Sequence, residues 1–378
     1  MKKIFFLLLF FLMVFIPASA LEYVREYSSF PLFYNPGNED SFSLWSDPVY
    51  IPDNTKIQFY FQNNIDLYTD ISRLLDVLNG DYTLIMFYID EFSSKGYGLG
   101  YDIDMGIVGK YWSMGFYTLL SAYEKGPVFP DASYGNFELF TTLYAKGVIP
   151  LHFTDFDLSI GLWVLPIYKL KIPFDTQLNT TLINNITYWQ QDYISQLFKN
   201  ISLYQGIGLE TNSSILFQYK NWDISLIIEN LFNTLIFYKK LQLDQVIDDP
   251  ALLFSSIELP LDHAGLLLMD FSVLCKYKIP VSSDFISNME AACGLCDFIN
   301  SITGSWDYIF DLFYLYYKID FFSFLSIKTS LYKSSLFFNL FIDLPYFQID
   351  LGFFSSLDNR IEHQGASEAL TIKYNIHF

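Results

Sequence analysis

Along most of this chain, apolar and polar residues alternate with a period of two. From Tyr97 to Val108, one face carries Tyr97, Leu99, Tyr101, Ile103, Met105 and Ile107. The other carries Gly98, Gly100, Asp102, Asp104, Gly106 and Val108. Gly109-Lys110-Tyr111 reads as a turn, after which Trp112, Met114, Phe116 and Leu120 resume the apolar face opposite Ser113, Gly115 and Ser121. Phe156, Leu158, Ile160, Leu162 and Val164 oppose Asp157, Ser159 and Gly161. Ile207, Leu209, Ile215, Phe217 and Tyr219 oppose Gly208, Glu210, Asn212, Gln218 and Lys220. After Asn221, the residues Trp222, Ile224, Leu226 and Ile228 oppose Asp223, Ser225 and Glu229. Side chains on a strand point alternately to its two faces, so each segment predicts a strand between an apolar and a polar medium.

The segments are about 10 residues long, the length a tilted strand needs to cross a bilayer. Large aromatics stand near their ends, as in the interfacial girdles of membrane barrels. The mature chain has no run of about 18 uncharged apolar residues that would mark a spanning helix. The nearest candidate, Tyr308 to Ile327, carries Asp311, Lys318 and Asp320. In lipid an open sheet would leave unpaired edges, so the strands must close on themselves.

Connections sort by length. The short ones lie at Gly109 to Tyr111, Pro150 to Asp155, Lys220-Asn221, Ile279 to Asp284, near Asp320, and at Asp343 to Tyr346. The intervening set includes Ile167 to Ser202 and Tyr238 to Gly265. Short turns belong on the periplasmic side and long loops outside. Thr55 to Leu67 is taken as the first strand, and the unbroken apolar run Tyr82 to Ile89 is left out. The expected fold is all-β: a transmembrane antiparallel barrel of about 14 strands. Asp102, Asp104, Asp157, Trp163 and Glu210 are expected to face its lumen.

Both termini fit that reading. Lys2 and Lys3 precede an apolar run from Ile4 to Ile16, and Pro17-Ala18-Ser19-Ala20 closes it. This is the pattern of a secretory signal peptide, with Ala18 and Ala20 at the cleavage site. At the other end Leu370, Ile372, Tyr374, Ile376 and Phe378 alternate with Thr371, Lys373, Asn375 and His377. The domains expected are a signal peptide over 1–20, a periplasmic or plug segment over 21–54, and the barrel over 55–378. Pro31, Pro36, Pro48 and Pro52 punctuate the middle segment and disfavour its pairing in a sheet.

Composition narrows the function. The net charge of −19 argues against nucleic acid as a partner, which requires clustered Lys and Arg. Aromatics make up 20% of the chain, and its expected partner is the lipid bilayer. Three cysteines do not form a disulfide scaffold. Cys293-Gly294-Leu295-Cys296 has neither a thioredoxin-like context nor a second ligand pair, and a structural role is expected. His152, His263, His363 and His377 show no metal-ligand spacing, and no G-x-S-x-G motif occurs. No cofactor, metal or catalytic residue is assigned. Thr187 to Phe198 is read as a short loop helix.

The terminal strand ending on Phe378 resembles the C-terminal signal of bacterial outer-membrane proteins. The resemblance implies that Tyr374, Ile376 and Phe378 are read by the barrel-assembly machinery. More widely, the chain resembles the FadL-like barrels of the fatty-acid transporter type, including their spirochaetal and PorV-like branches. Tyr34-Asn35-Pro36-Gly37 stands where that family has an NPA motif in an N-terminal plug, with Gly in place of Ala. Gly206 to Thr234 looks like the family's strand, tight turn and strand ending in an Asn-Leu unit, and Phe313 to Phe378 is similar to its final strands. The family implies a lumen blocked by the N-terminal segment, with Asn35, Pro36 and Gly37 as a plug turn. It also implies passive uptake of hydrophobic small molecules into an outer-membrane barrel. The alternative is a surface adhesin, or a PorV-like barrel that serves secretion and transports nothing.

Overall fold

The computed structural model describes residues 22–25, 57–68, 97–125, 134–174, 201–232, 234–255, 263–283, 285–296, 298, 312–322, 324–332, 335–344, 346–356 and 368–377. A short strand β1 (Glu22–Arg25) precedes the wall. The wall is built from β2 (Gln58–Tyr68), β3 (Tyr97–Gly109), β4 (Trp112–Lys125), β5 (Tyr134–His152), β6 (Asp157–Phe174) and β7 (Ser202–Tyr219). It continues through β8 (Trp222–Glu229) and β9 (Thr234–Gln242), with helices α1 (Leu243–Asp248) and α2 (Leu252–Ser255) above them. Next come β10 (His263–Leu267), β11 (Asp270–Ile279), β12 (Ile286–Leu295), β13 (Phe313–Phe321) and β14 (Leu325–Tyr332). β15 (Ser335–Leu344), β16 (Phe347–Ser356) and β17 (Glu368–His377) complete it.

Successive strands pair antiparallel, and β17 pairs back onto β2 from Ala369↔Tyr68 to His377↔Tyr60. That pairing closes the cylinder. β8 and β9 both pair with β7 and together form one interrupted wall strand; β10 and β11 form the next in the same way. The result is a closed antiparallel barrel of 14 strands. All six short connections expected from the sequence lie at one end, which we call the lower end.

Three features depart from the sequence expectation. The strands are not uniformly about 10 residues long: β5 has 19, and β6 and β7 have 18. Ile167 to Phe174 and Tyr238 to Gln242, read as loop, are therefore wall. The first wall strand starts at Gln58. Glu22 to Arg25, expected in a segment outside the sheet, instead pair with β10 in parallel, Glu22↔His263 to Arg25↔Leu266. β10 has a vacant edge there because the β11–β12 ladder ends at Val273↔Leu295. A strand edge with unmade hydrogen bonds accepts any extended segment within reach. The signal peptide, the Asn35-Pro36-Gly37 turn, Tyr82 to Ile89, the Thr187 to Phe198 helix and Phe378 lie outside the described residues.

The outer surface is apolar. Leu99, Met105, Met114, Leu143, Leu162, Leu209, Ile224, Val273 and Phe338 are exposed on it. A patch of this size is tolerable only against lipid. Aromatic contacts ring the lower end: Phe153 on Phe156 at 4.6 Å, Trp222 on Tyr277 at 4.6 Å, and Phe322 on Phe324 at 5.7 Å between ring centroids. Tyr374 lies between Phe61 and Phe347, at 6.4 and 6.3 Å, and so spans the closing seam. Asn63 is a polar residue on this face; it is buried and donates to the Tyr101 hydroxyl. At the upper end α1 and α2 cover part of the outer wall, with Val246 packed on Leu203 and Leu241 and Leu253 beside them.

Candidate functional site: the barrel lumen

The alternation that makes the outer face apolar turns the opposite side chains inward. Of the lumen residues expected from the sequence, Asp102, Asp104, Trp163 and Glu210 are all buried on the inner face. Asp157 differs. It sits at the first residue of β6, on the lower rim, where its carboxylate meets His152 Nδ1 at 2.9 Å in solvent. Tyr374 and Ile376 lie at the lower end of β17.

Near the closing seam the inner face is a hydrogen-bonded network. The hydroxyls of Tyr60 and Tyr144 both donate to Oδ1 of Asp104, at 3.0 and 2.8 Å. Asn64 donates to Asp102 at 3.0 Å, and Thr371 donates to Asn64 at 2.6 Å. These groups come from β2, β3, β5 and β17, so the network ties the last strand to the first. Tyr144 reaches Asp104 by crossing β4 at Gly115. A Cβ on Gly115 would stand 2.5 Å from the Tyr144 oxygen. Gly106, paired with Gly115, admits Tyr60 in the same way, at 2.8 Å.

From β11 round to β16, with Asp223 of β8, the inner face carries an ionic network. Lys276 lies 3.3 Å from Asp223 and 3.8 Å from Glu290. Lys278 reaches Asp223 at 3.2 Å, and Lys318 reaches Glu290 at 3.6 Å and Asp320 at 3.3 Å. Tyr316 donates to Glu290 at 3.2 Å, and Lys328 stands 4.5 Å over the Tyr316 ring. Asn339 donates to Asp350 at 3.1 Å. Charges alternate in sign from Asp223 through Lys276 and Glu290 to Lys318, and Lys328 of β14 stands opposite Lys318. Buried charges are tolerated when paired and hydrogen-bonded in this way.

From β4 to β10 the inner face mixes apolar side chains with polar ones such as Thr142, Lys146, Asn212, Ser214 and Ser225. Leu119, Phe140, Leu165, Ile167, Leu216, Ile227, Ile236 and Leu267 are buried there with Tyr117, Trp163 and Tyr238, in a cluster that continues round the wall to Leu274, Tyr314 and Tyr332. A buried pair, Lys169 with Glu138 at 3.1 Å, lies among them. Of the inward apolar residues, the sequence pattern marked Trp163. Leu165 and Ile167 were missed because Pro166 and the unbroken apolar run hide the parity.

The wall is interrupted beside this cluster. Between β8 and β9 the strand breaks at Asn230, which has φ 51°. Its backbone N–H donates to Asn212 Oδ1 at 2.7 Å, and Asn212 Nδ2 donates to Glu210 at 2.6 Å. Leu231 N donates to Thr211 O at 2.8 Å. Glu210, expected only as a lumen residue, therefore orients the side chain that satisfies the kinked backbone. Asn is well suited to that place, since it tolerates the left-handed region better than other L-residues.

No protein-family model matches the chain, and no curated protein matches it in sequence. Solved structures resemble it in fold. The Pseudomonas putida toluene transporter TodX is 8% identical with a TM-score of 0.40, covering 90% of this chain and 92% of TodX. CdiB from Acinetobacter baumannii is 10% identical with a TM-score of 0.34, covering 86% of this chain. This chain spans 60% of the CdiB length. The translocator domain of the autotransporter NalP from Neisseria meningitidis is 7% identical with a TM-score of 0.35, covering 86% of this chain and 88% of that one. Fold and lumen together define the class: a closed β-barrel with an apolar outer face, whose interior combines paired charges with a cluster of buried apolar side chains.

Proposed function

We propose that this barrel is an outer-membrane channel for passive uptake of hydrophobic small molecules of the fatty-acid type. The observation that carries the reading is the set of inward aliphatic side chains between β4 and β10. A general porin lines its interior with polar groups and holds water there. Eight aliphatic and aromatic side chains, Leu119, Phe140, Leu165, Ile167, Leu216, Ile227, Ile236 and Leu267, pack against their neighbours on the inner face, and an alkyl chain that parts them meets a lower-energy surface than water. Transfer gains about 0.8 kcal/mol per methylene buried. The gain is spread over several weak contacts, which favours entry without preventing exit. The ionic arc fixes the opposite wall, so its side chains are held by one another rather than by solute.

The plug belongs to this proposal. Arg25 ends β1 beside β10, whereas Gln58 begins β2 at the lower end of the opposite wall. In the reading proposed, residues between them obstruct the lumen and give way to ligand.

Binding of cis-parinaric acid to the detergent-solubilised barrel, followed by its fluorescence, tests the lumen assignment. Saturable binding is expected. Ile167→Asp should weaken it about tenfold or more, equivalent to about 1.4 kcal/mol. Equal binding by a folded Ile167→Asp variant would remove these inward apolar side chains as the site.

A further inference from the structure

The C-x-x-C spacing of Cys293 and Cys296 suggests a thiol pair, but the strand separates them. Cys293 is exposed on the outer face of β12, while Cys296 is fully buried at its end. Positions three apart on a strand point to opposite faces. The register supplies a different pair. Cys275 of β11 stands directly opposite Cys293 of β12, and both thiols are free on the lipid-facing side.

The backbone pattern defines the spacing. Lys278 N donates to Asn221 O at 2.9 Å, so even-numbered residues of β11 bond towards β8. Cys296 N donates to Leu312 O at 2.8 Å, so even-numbered residues of β12 bond towards β13. Odd-numbered residues of the two strands therefore bond to each other, which makes Cys275 and Cys293 a hydrogen-bonded pair. Such pairs have Cα atoms about 5.5 Å apart. That lies inside the range a disulfide spans, roughly 4.4–6.8 Å.

The location gives the pair a consequence. Among the described residues, Leu274↔Gly294 and Val273↔Leu295 are the only β11–β12 pairs above it, and beyond them the β10 edge is taken by β1. The two thiols thus sit just below the fork where neighbouring wall strands part.

We propose that Cys275 and Cys293 form a cross-strand disulfide that staples β11 to β12 at this fork. The reaction is thiol–disulfide exchange with a lipophilic disulfide. A thiolate attacks one sulfur of the reagent and expels a thiol; the second cysteine then attacks the mixed disulfide and expels another. One S–S bond forms and one breaks, and both protons end on the two released thiols. The outer-membrane setting of the proposed function supplies oxidising conditions that sustain such a bond.

The test uses the folded barrel in detergent micelles, treated with 2,2′-dithiodipyridine or with reductant. Thiols are then alkylated in denaturant and peptides are read by mass spectrometry. The expected product links the Cys275 and Cys293 peptides, with a loss of two hydrogens and no retained thiopyridyl group. Cys296→Ala should leave the link intact, and Cys275→Ser should abolish it. The oxidised wild type should also need a higher temperature for its heat-induced gel shift than the reduced form, a difference lost in Cys293→Ser. A Cys293–Cys296 link, or separate thiopyridyl adducts on Cys275 and Cys293 with no link, would overturn the proposal.

Discussion

The hydroxyl of Tyr144 on β5 donates a 2.8 Å hydrogen bond to Oδ1 of Asp104 on β3, passing over the strand between them at Gly115. The contact joins three wall strands through one side chain. It depends on Gly115 having no side chain, because the Tyr144 ring carbon Cζ would lie 2.7 Å from a Cβ there. Gly115→Val should therefore displace Tyr144 and cost about 1–3 kcal/mol by overpacking. Urea unfolding of the barrel in micelles measures this. Gly115→Val as stable as the wild type would show that Tyr144 is not held in place by this passage.

The ionic arc makes a different demand. Glu290 faces Lys276 and Lys318 and accepts from Tyr316. Glu290→Leu removes the carboxylate from between two ammonium groups. Breaking a buried pair in this way costs about 3–5 kcal/mol. Lys276→Met should cost less, because Asp223 keeps Lys278 and Glu290 keeps Lys318. The same unfolding measurement should rank Glu290→Leu well below Lys276→Met, and the reverse order would contradict the network as described.

At the wall interruption, backbone conformation is decisive. Asn230 at φ 51° should tolerate Gly but not Val. A non-Gly residue in the left-handed region costs roughly 1–2 kcal/mol, and a β-branched one is a true outlier there. Asn230→Gly should fold like the wild type, and Asn230→Val should lower the midpoint of unfolding. Equal midpoints would mean that the kink is not held in this conformation.

The faces of the wall can be separated at adjacent positions. Ile103 points to lipid, next to inward Asp102 and Asp104. Ile103→Lys should reduce insertion by about 2–4 kcal/mol at mid-membrane depth, whereas Ile103→Phe should insert normally. Heat-modifiable barrel in outer-membrane fractions reports the outcome. Equal yields from both variants would place Ile103 away from lipid.

How much of this was legible in the sequence depended on the range of the interaction. The faces were, because burial between two media imposes a period of two on every strand: Leu99 and Met105 outside, Asp102 and Asp104 inside. The short lower turns at Gly109 to Tyr111 and Lys220-Asn221 were too, through the break in that period. The long β5 to β7 were not, since apolar inner residues such as Leu165 and Ile167 erase the alternation. β1 was not, because Glu-Tyr-Val-Arg carries no pattern; a vacant edge 241 residues away in sequence defines it as a strand. The Cys275–Cys293 pairing and the path of Tyr144 over Gly115 depend on register between strands. Period-two patterning constrains register only to within steps of two.

The central claim is that the lumen passes apolar rather than polar solutes. Flux through the barrel in proteoliposomes tests it most directly, comparing a lipophilic dye-labelled fatty acid with a sugar of similar mass. The account predicts faster fatty-acid entry than in empty liposomes, slowed by Ile167→Asp, with sugar excluded. Deleting residues 22–53 should add sugar passage, because a barrel of about 14 strands holds a water-filled channel once cleared. Sugar entry through the intact protein, with fatty-acid entry no faster than in empty liposomes, would contradict the account.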